Sequence, residues 1–179
     1  IDPFSGLDGS SDLAFSGGKI SALAPSLEKI TANHEIDVTG KIVCPGLIDL
    51  HTHVYWGGTG LGVEAEMLVG RSGTTTFVDA GSAGAGNYAG FQRFIADATE
   101  LRILGFMNIS FAGICGFSKT TPNLFPECED IRMLDTGECV DAIREFPNSV
   151  VGVKVRIGRY ASGNAGLIPL QIAREVAEE

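Results

Sequence analysis

The alternation of strand-like and helix-like segments after residue 46 limits most strongly how this chain can fold. The strand-like segments are GLIDLH, TTTFVDAG, ILGFMNISFAG and SVVGVKVRIG, and the helix-like segments are VEAEMLVGRSG, NYAGFQRFIADAT, TGECVDAIREF and PLQIAREVAEE. Strands that alternate with helices form a parallel sheet covered by helices. Four such units make about half of a (β/α)8 TIM barrel, which usually needs about 250 residues. We therefore predict an α/β fold, a partial (β/α)8 TIM barrel with about its first four βα units. A complete four-stranded open sheet is the alternative.

The segment before residue 47 has a different pattern. Residues 12–23, DLAFSGGKISAL, contain two short β-type runs around Gly17 and Gly18, which predicts a hairpin. Residues 34–46, HEIDVTGKIVCPG, predict further short strands that end at a Pro-Gly boundary. We therefore predict two domains, a small β-rich unit over residues 1–46 and the barrel portion over residues 47–179. The chain resembles the front part of a longer protein, because its last helix is cut in full stride.

Three local predictions follow from spacing and composition. Phe91, Phe94, Ile95 and Ala98 lie at i, i+3, i+4 and i+7, which predicts one apolar helix face. The polar, Pro-containing stretch 118–130 is predicted to be a loop. The GSAGAG stretch lacks the glycine spacing of nucleotide-binding loops, and it predicts a flexible loop after the second barrel strand.

Charge and hydropathy exclude two classes of function. The 13 Lys and Arg residues are outnumbered by 22 Asp and Glu residues, which gives a formal net charge of −9. No basic cluster suited to a phosphate backbone is present, so we predict no nucleic-acid partner. The chain also lacks an apolar run near the roughly 18 to 20 residues of a membrane-spanning helix. These features predict a cytoplasmic protein with no membrane partner.

A pair of histidines follows the first barrel strand in DLHTHVYWGG. Residues i, i+2 and i+4 of a strand point to one face, so Asp49, His51 and His53 are expected to project together. In a parallel barrel the carboxyl ends of the strands carry the chemistry. His51 and His53 are therefore candidate metal ligands, with Asp49 as a candidate support for one ring. Two histidines with no shared role remain the alternative.

The fourth barrel strand carries a lysine in an otherwise apolar pattern. In VVGVKVRIG, the residues Val151, Val153, Val155 and Ile157 are expected to pack against helices. Lys154 and Arg156 are then expected to face the barrel interior. A buried ammonium is costly, so its pKa is expected to fall. A neutral amine can capture carbon dioxide, and the resulting carbamate can bridge two cations. The alternative is a lysine that reaches a carboxylate such as Asp79.

Three segments together resemble the metal-dependent amidohydrolase superfamily. They are KIVCPGLIDLHTHVYWGGT, GTTTFVDAGSAGAGN and GVKVRIG, and the resemblance is to the deacetylase branch related to dihydroorotases. It implies that His51 and His53 bind one of two divalent metals, most simply zinc, and that carboxylated Lys154 bridges the pair. It also implies that the N-terminal unit is part of a small β-sandwich.

The resemblance further implies residues that this chain does not contain. The family has a histidine on each of two later strands and a late aspartate as general base, but no histidine follows His53. The catalytic base is thus expected beyond Glu179, and the 179 residues alone are expected to be inactive. Dihydroorotase-type sites have an arginine where this chain has Tyr55, which argues against dihydroorotate as the substrate.

The sequence thus predicts a hydrolase of amide or ester acyl bonds that uses a metal-bridging hydroxide. Its expected partner is a small acylated carboxylate, with Arg156 and Tyr55 as candidate substrate-binding residues. For Arg156 the alternative is an ion pair with a local carboxylate, and for Tyr55 it is packing at the barrel rim. Assembly into a homo-oligomer is compatible with the sequence. The alternatives to a two-metal hydrolase are a one-metal enzyme of the same fold and a non-catalytic amidohydrolase-like scaffold.

Overall fold

The computed structural model describes residues 1–116 and 125–179. The chain divides into two compact units, Ile1–Pro45 and Gly46–Glu179. This division falls one residue before the boundary suggested by the Pro-Gly dipeptide.

The first unit contains the predicted hairpin. Strand β1, Asp12–Ser16, pairs antiparallel with strand β2, Lys19–Ala24. Gly17 and Gly18 form the connection with φ angles of 59° and 74°, a left-handed conformation that glycine adopts without steric cost.

The prediction of further strands over residues 34–46 is wrong. In this stretch the backbone forms a turn, in which Thr39 N–H donates to Asp37 Oδ1 at 2.8 Å and Lys41 N–H donates to the Val38 carbonyl at 2.9 Å. Those donors are therefore used locally instead of in a strand ladder.

The second unit is built on a parallel four-stranded sheet. Its strands are β3 (Leu47–Thr52), β4 (Thr74–Asp79), β5 (Arg102–Asn108) and β6 (Val150–Lys154). Each strand pairs in parallel with the next along the chain, in the order β3-β4-β5-β6. Sequential order with a helical connection at each step is typical of a barrel, whereas a doubly wound sheet reverses its order. The predicted partial TIM barrel is confirmed.

Helical segments follow each of these strands and cover one face of the sheet. They are α1 (Glu66–Ser72), α2 (Tyr88–Phe91) with a π-helical turn (Gln92–Ala96), α3 (Thr136–Glu145) and α4 (Ile168–Glu178), with short 3-10 helices at Ile131–Met133 and Gly163–Ala165. Gly73 ends α1 in the left-handed conformation, with φ of 68°. Within the described residues, no helix is long and apolar enough to cross a membrane.

The core lies between the sheet and its helices. Phe77 of β4 and Ile103 and Met107 of β5 are buried there with Phe91 of α2 and Val140 of α3. Ile103 and Met107 are four residues apart on one face of a strand, as the period of two requires. Burial of these side chains holds the strand ends in register, and that register positions the site described below.

The predicted apolar face of the second helix is only partly correct. Phe91 is buried and Ile95 packs against the core, but Phe94 is 69% exposed and Ala98 is exposed. The chain changes from an α-helix to a π-helical turn at Gln92. Because a π-turn has more residues per turn than an α-helix, it rotates the following side chains away from the face predicted for a regular helix.

Two other predictions concern the loop at 118–130, of which only a part lies within the described residues, and the fourth strand segment, whose packing differs from the prediction. Of the predicted loop at 118–130, residues 118–124 lie outside the described residues, and residues 125–130 contain turns. In the fourth strand segment, Val153 and Val155 pack against the helix-side core, but Val151 is 49% exposed and Ile157 is 40% exposed. The strand ends at Lys154, so the strand alternation does not extend to Ile157, and Val151 lies on the outermost strand of the described sheet.

Candidate metal centre

The two histidines lie at the carboxyl end of β3. His51 is the penultimate residue of the strand, and His53 follows its last residue. Their ring centroids are 5.7 Å apart and the rings are nearly perpendicular, at 79°. The strand periodicity thus brings the two imidazoles to one place, as the spacing predicted.

A cavity of about 610 Å³ lies at the carboxyl ends of β3 and β6. Its wall includes both histidines, Lys154 and Arg156, together with residues of the segment that follows β6. Lys154 is the last residue of β6 and pairs in register with Asn108 of β5. The structure therefore brings His51, His53 and Lys154, from two strands about a hundred residues apart in sequence, to one cavity.

The half-buried Lys154 amine has a pKa below its ordinary value. Burial is the main cause, nearby Arg156 adds to it, and Asp79 and Glu127 partly oppose it. Burial disfavours the charged ammonium because the protein solvates it less well than water does. In the described part of the chain Lys154 forms no ion pair with a carboxylate. Within the described residues, Lys154 therefore does not form the alternative salt bridge to Asp79.

Asp79 instead binds the backbone of two neighbouring loops. Its side chain is buried, and it accepts hydrogen bonds from Val54 N–H at 2.8 Å and from Ser82 N–H at 2.6 Å. One carboxylate thus links the segment after β3 to the segment after β4. Both segments carry residues of the site, so Asp79 fixes their relative position.

His53 is half-buried and bonded to the loop after β4. Its Nδ1 atom lies 2.8 Å from Ser82 Oγ, and Ser82 is 1% exposed. Burial lowers the pKa of His53, Asp79 opposes this, and Lys154, His51 and Arg156 add to it. The neutral imidazole is therefore favoured, and this is the form that binds metals.

Arg156 lies on the cavity wall and forms an ion pair with a buried carboxylate. Its Nη1 atom is 3.1 Å from Glu127 Oε1, and the Glu127 side chain is 2% exposed. Burial raises the pKa of Glu127, and the adjacent guanidinium partly opposes that increase. The alternative of a local ion pair is thus present, while about a quarter of the arginine side chain stays exposed.

The side chains of two other candidate residues, Tyr55 and Asp49, are engaged in packing and in a local hydrogen bond. Tyr55 does not line the cavity that the described residues form, and its ring packs edge-on against Phe91 with a centroid distance of 5.4 Å. The Tyr55 ring therefore packs against the core. Asp49 accepts a hydrogen bond from the backbone N–H of His51 at 3.0 Å, so its carboxylate is used locally.

Sequence reasoning missed two residues of the site. Ser82 lies in the GSAGAG stretch, which was expected to be a flexible loop, yet residues 80–84 are buried. The available signal was a serine three residues after the end of a barrel strand, where the carboxyl ends of the strands carry the chemistry. Glu127 gave no such signal, because the polar loop that contains it has several charged residues.

The donor set fits a metal only in part. Among the described residues, no group of three or more His, Cys, Asp or Glu side chains is arranged to hold an ion. Two imidazoles and one amine with a lowered pKa do share the cavity. Imidazole is a good ligand for zinc, and a carbamate on the amine would supply the anionic oxygens that the set lacks.

Comparisons with known proteins identify the fold. A deacetylase of Agrobacterium fabrum is 32% identical over 170 residues, which cover 94% of this chain and 40% of the relative. The crystal structure of a dihydroorotase matches with a TM-score of 0.85 and 32% identity, over 97% of this chain and 45% of that one. An adenine deaminase structure matches with a TM-score of 0.74 and 27% identity, over 94% and 43% of the two chains. No protein-family model matches the chain.

These matches and the strand order define the class of protein as one with a (β/α)8 barrel, of which this chain forms four units. The chain belongs to the amidohydrolase superfamily, in its deacetylase- and dihydroorotase-like branch. It spans less than half the length of the relatives it matches.

Proposed function

We propose that the full-length protein is a metal-dependent hydrolase of amide or ester acyl bonds. The observation that carries this proposal is the position of Lys154, half-buried in the same cavity as His51 and His53. A lysine there has no ion-pair partner among the described residues, and its pKa is lowered. Such an amine can act as a neutral nucleophile, whereas a solvated lysine remains a protonated ammonium.

The proposed role of Lys154 is to form a carbamate. Its neutral amine nitrogen attacks the carbon of carbon dioxide: an N–C bond forms, the electron pair of one C=O π bond moves onto oxygen, and one N–H proton leaves to solvent. The product is a two-oxygen anion next to His51 and His53. These three residues would hold two divalent ions, most simply zinc. When bound, the ions would polarise the acyl carbonyl and lower the pKa of water.

The charges around the cavity support an anionic substrate. Arg156 and Arg159 contribute positive side chains to the wall, and among the described residues no Asp or Glu lines it. This contrasts with the net charge of −9 for the chain. A planar guanidinium binds a carboxylate through two hydrogen bonds, so Arg156, held by Glu127, is the proposed carboxylate contact. We propose a small acylated carboxylate as the substrate class.

Other parts of the proposal concern the whole protein. The general base and two further histidine ligands are proposed to come from residues beyond Glu179. The matched deacetylase and dihydroorotase are longer than this chain by more than a factor of two, which supports further barrel strands in the full-length protein. A cytoplasmic location also remains part of the proposal.

Replacing Lys154 tests the proposal directly. In the full-length protein, Lys154→Ala should reduce bound metal and lower kcat/KM for N-acyl and O-acyl carboxylates by more than about 100-fold. This exceeds the 10- to 100-fold loss typical of residues that only support a ligand. The measurements are elemental analysis of the purified protein and initial rates, and the control is Lys41→Ala, which removes an exposed lysine.

A small carboxylate added to Lys154→Ala should restore part of the activity, because it can occupy the space of the missing carbamate. The two-metal hydrolase is rejected if the wild-type protein holds less than one equivalent of metal, or if Lys154→Ala keeps full activity. A protein without metal or activity would instead match the non-catalytic scaffold. Metal without a carbamate signal in 13C-bicarbonate NMR would match the one-metal alternative.

A further inference from the structure

We propose that Ser82, anchored by Asp79, is a positioning residue that fixes the tautomer and orientation of the His53 ring. This inference rests on the proposed metal site, and it assigns a role to the loop after β4. Its physical content is that Ser82 Oγ accepts a hydrogen bond from protonated Nδ1 of His53. Nε2 is then left with its lone pair available to the cavity.

The first support is the short contact between the two side chains. His53 Nδ1 and Ser82 Oγ are 2.8 Å apart, although the residues are 29 positions apart in sequence. Ser82 is buried, so water does not readily replace its hydroxyl as the partner of the ring. A histidine that uses Nδ1 in this way has one ring nitrogen left for another partner.

The second support is the rigid attachment of Ser82. Its backbone N–H donates to Asp79 Oδ1 at 2.6 Å, and the other carboxylate oxygen of Asp79 accepts from Val54 N–H at 2.8 Å. Val54 directly follows His53. One buried carboxylate therefore holds both the residue next to the histidine and the serine that contacts its ring, which fixes the distance between them.

The third support is the packing of the loop that carries Ser82. The Ser82 carbonyl accepts from Ile114 N–H at 3.0 Å, and the Gly81 carbonyl accepts from Asn108 Nδ2 at 2.9 Å. Asn108 is fully buried. The backbone on both sides of Ser82 is thus tied to β5 and to the segment after it, which restricts how far the hydroxyl can move with the ring.

The direction of the hydrogen bond between His53 and Ser82 decides whether Nε2 of His53 can bind a cation. If Ser82 Oγ accepts, the proton is on Nδ1 and Nε2 can bind a cation. If Ser82 Oγ donates, Nε2 carries the proton and cannot. The nearby negative charge of Asp79 favours a proton on the ring nitrogen that faces Ser82, because Asp79 Oδ1 is bonded to the backbone of the same serine. We therefore assign the accepting role to Ser82.

The test uses the full-length protein with Ser82→Ala, which removes the hydroxyl and adds no volume. The matched control is Ser149→Ala, which removes another buried serine hydroxyl, bonded to Tyr88 and assigned no role in the metal site. The zinc dissociation constant, measured by competition with a chromophoric chelator, should rise about 10-fold in Ser82→Ala and stay within about 2-fold in Ser149→Ala.

A second measurement reads the tautomer without metal. Long-range 1H–15N spectra of the chelator-treated protein should assign the Nδ1–H form to His53 in the wild type and a mixture of tautomers in Ser82→Ala. An Nε2–H form in the wild type, or a zinc affinity that Ser82→Ala leaves unchanged, would overturn the inference. If the wild type binds no zinc, the proposed function fails, whereas the tautomer measurement still supports or rejects the role of Ser82.

Discussion

Tyr88 illustrates how one buried polar side chain can stabilise the barrel layer. It is 1% exposed, and its ring packs against Phe91 and Phe146 with centroid distances of 5.3 and 5.2 Å. Its hydroxyl lies 3.3 Å from Ser149 Oγ. Burial raises the pKa of Tyr88 to about 12, with the bond to Ser149 partly opposing it and the charge of Asp79 adding to it. The phenol therefore stays protonated in the folded protein where an exposed tyrosine would ionise.

This shift predicts a specific loss of stability in alkali. Below pH 10 the phenol is protonated in both states, but between pH 10 and about 12 only the unfolded state releases the proton. The free energy of unfolding should therefore fall as pH rises through this window. From pH 9 to 11, wild type should lose about 1 kcal/mol more than Tyr88→Phe, as measured by urea unfolding at each pH.

The control for this prediction is Tyr160→Phe, which removes an exposed phenol. It should show the same alkaline loss as the wild type. Equal losses in wild type and Tyr88→Phe would mean that Tyr88 ionises normally in the folded protein.

At the scale of elements, the loop after β4 packs closely against the end of β6. Gly81 has a φ of +79°, and a Cβ atom built there would come within 2.5 Å of Lys154 Cβ and Cγ. Glycine is thus needed both for the backbone conformation and for the space beside Lys154. The same loop carries Ser82, so this contact joins two parts of the candidate metal centre.

Gly81→Ala should lower the free energy of unfolding by about 1 to 3 kcal/mol and should also weaken metal binding, because Lys154 must move. Gly73→Ala is the matched control. Gly73 has a similar φ of +68°, but nothing lies within 4 Å of the built Cβ atom. It should therefore lose stability from backbone strain while the affinity for zinc is unchanged. If the two variants bind zinc equally well, the close approach of Gly81 to Lys154 does not contribute to metal binding.

At the scale of the whole molecule, the four strands of the second unit form a sheet with two edges. β3 and β6 are its outer strands, and Leu47, Ile48 and Leu50 of β3 are more than half exposed. Exposed apolar edge strands favour association with other chains. The matched relatives are more than twice as long as this chain.

We therefore expect the 179-residue chain, expressed alone, to show no hydrolase activity and to self-associate. The full-length protein, assayed at the same molar concentration, should be active and should elute at the size of a defined species in gel filtration. A rate for the 179 residues within about 10-fold of the full-length rate would contradict the requirement for residues beyond Glu179.

The sequence alone determined those features that depend on neighbours along the chain. The periods of strand and helix predicted four βα units, the Gly-Gly pair predicted the hairpin, and the spacing of His51 and His53 predicted that their rings would share one side of a strand. Each is a consequence of backbone geometry, which repeats every two or 3.6 residues. The expected strands at 34–46 failed because a strand also needs a partner, and local spacing does not supply one.

Only the tertiary structure decided which side chains meet. The contact of His53 with Ser82 and the ion pair of Arg156 with Glu127 join residues on separate loops, and their distances depend on strand register and loop packing. The packing of Tyr55 against Phe91 is a choice of the same kind. Sequence spacing specifies the direction of a side chain from its own strand, whereas its partner is determined by every element that packs against that strand.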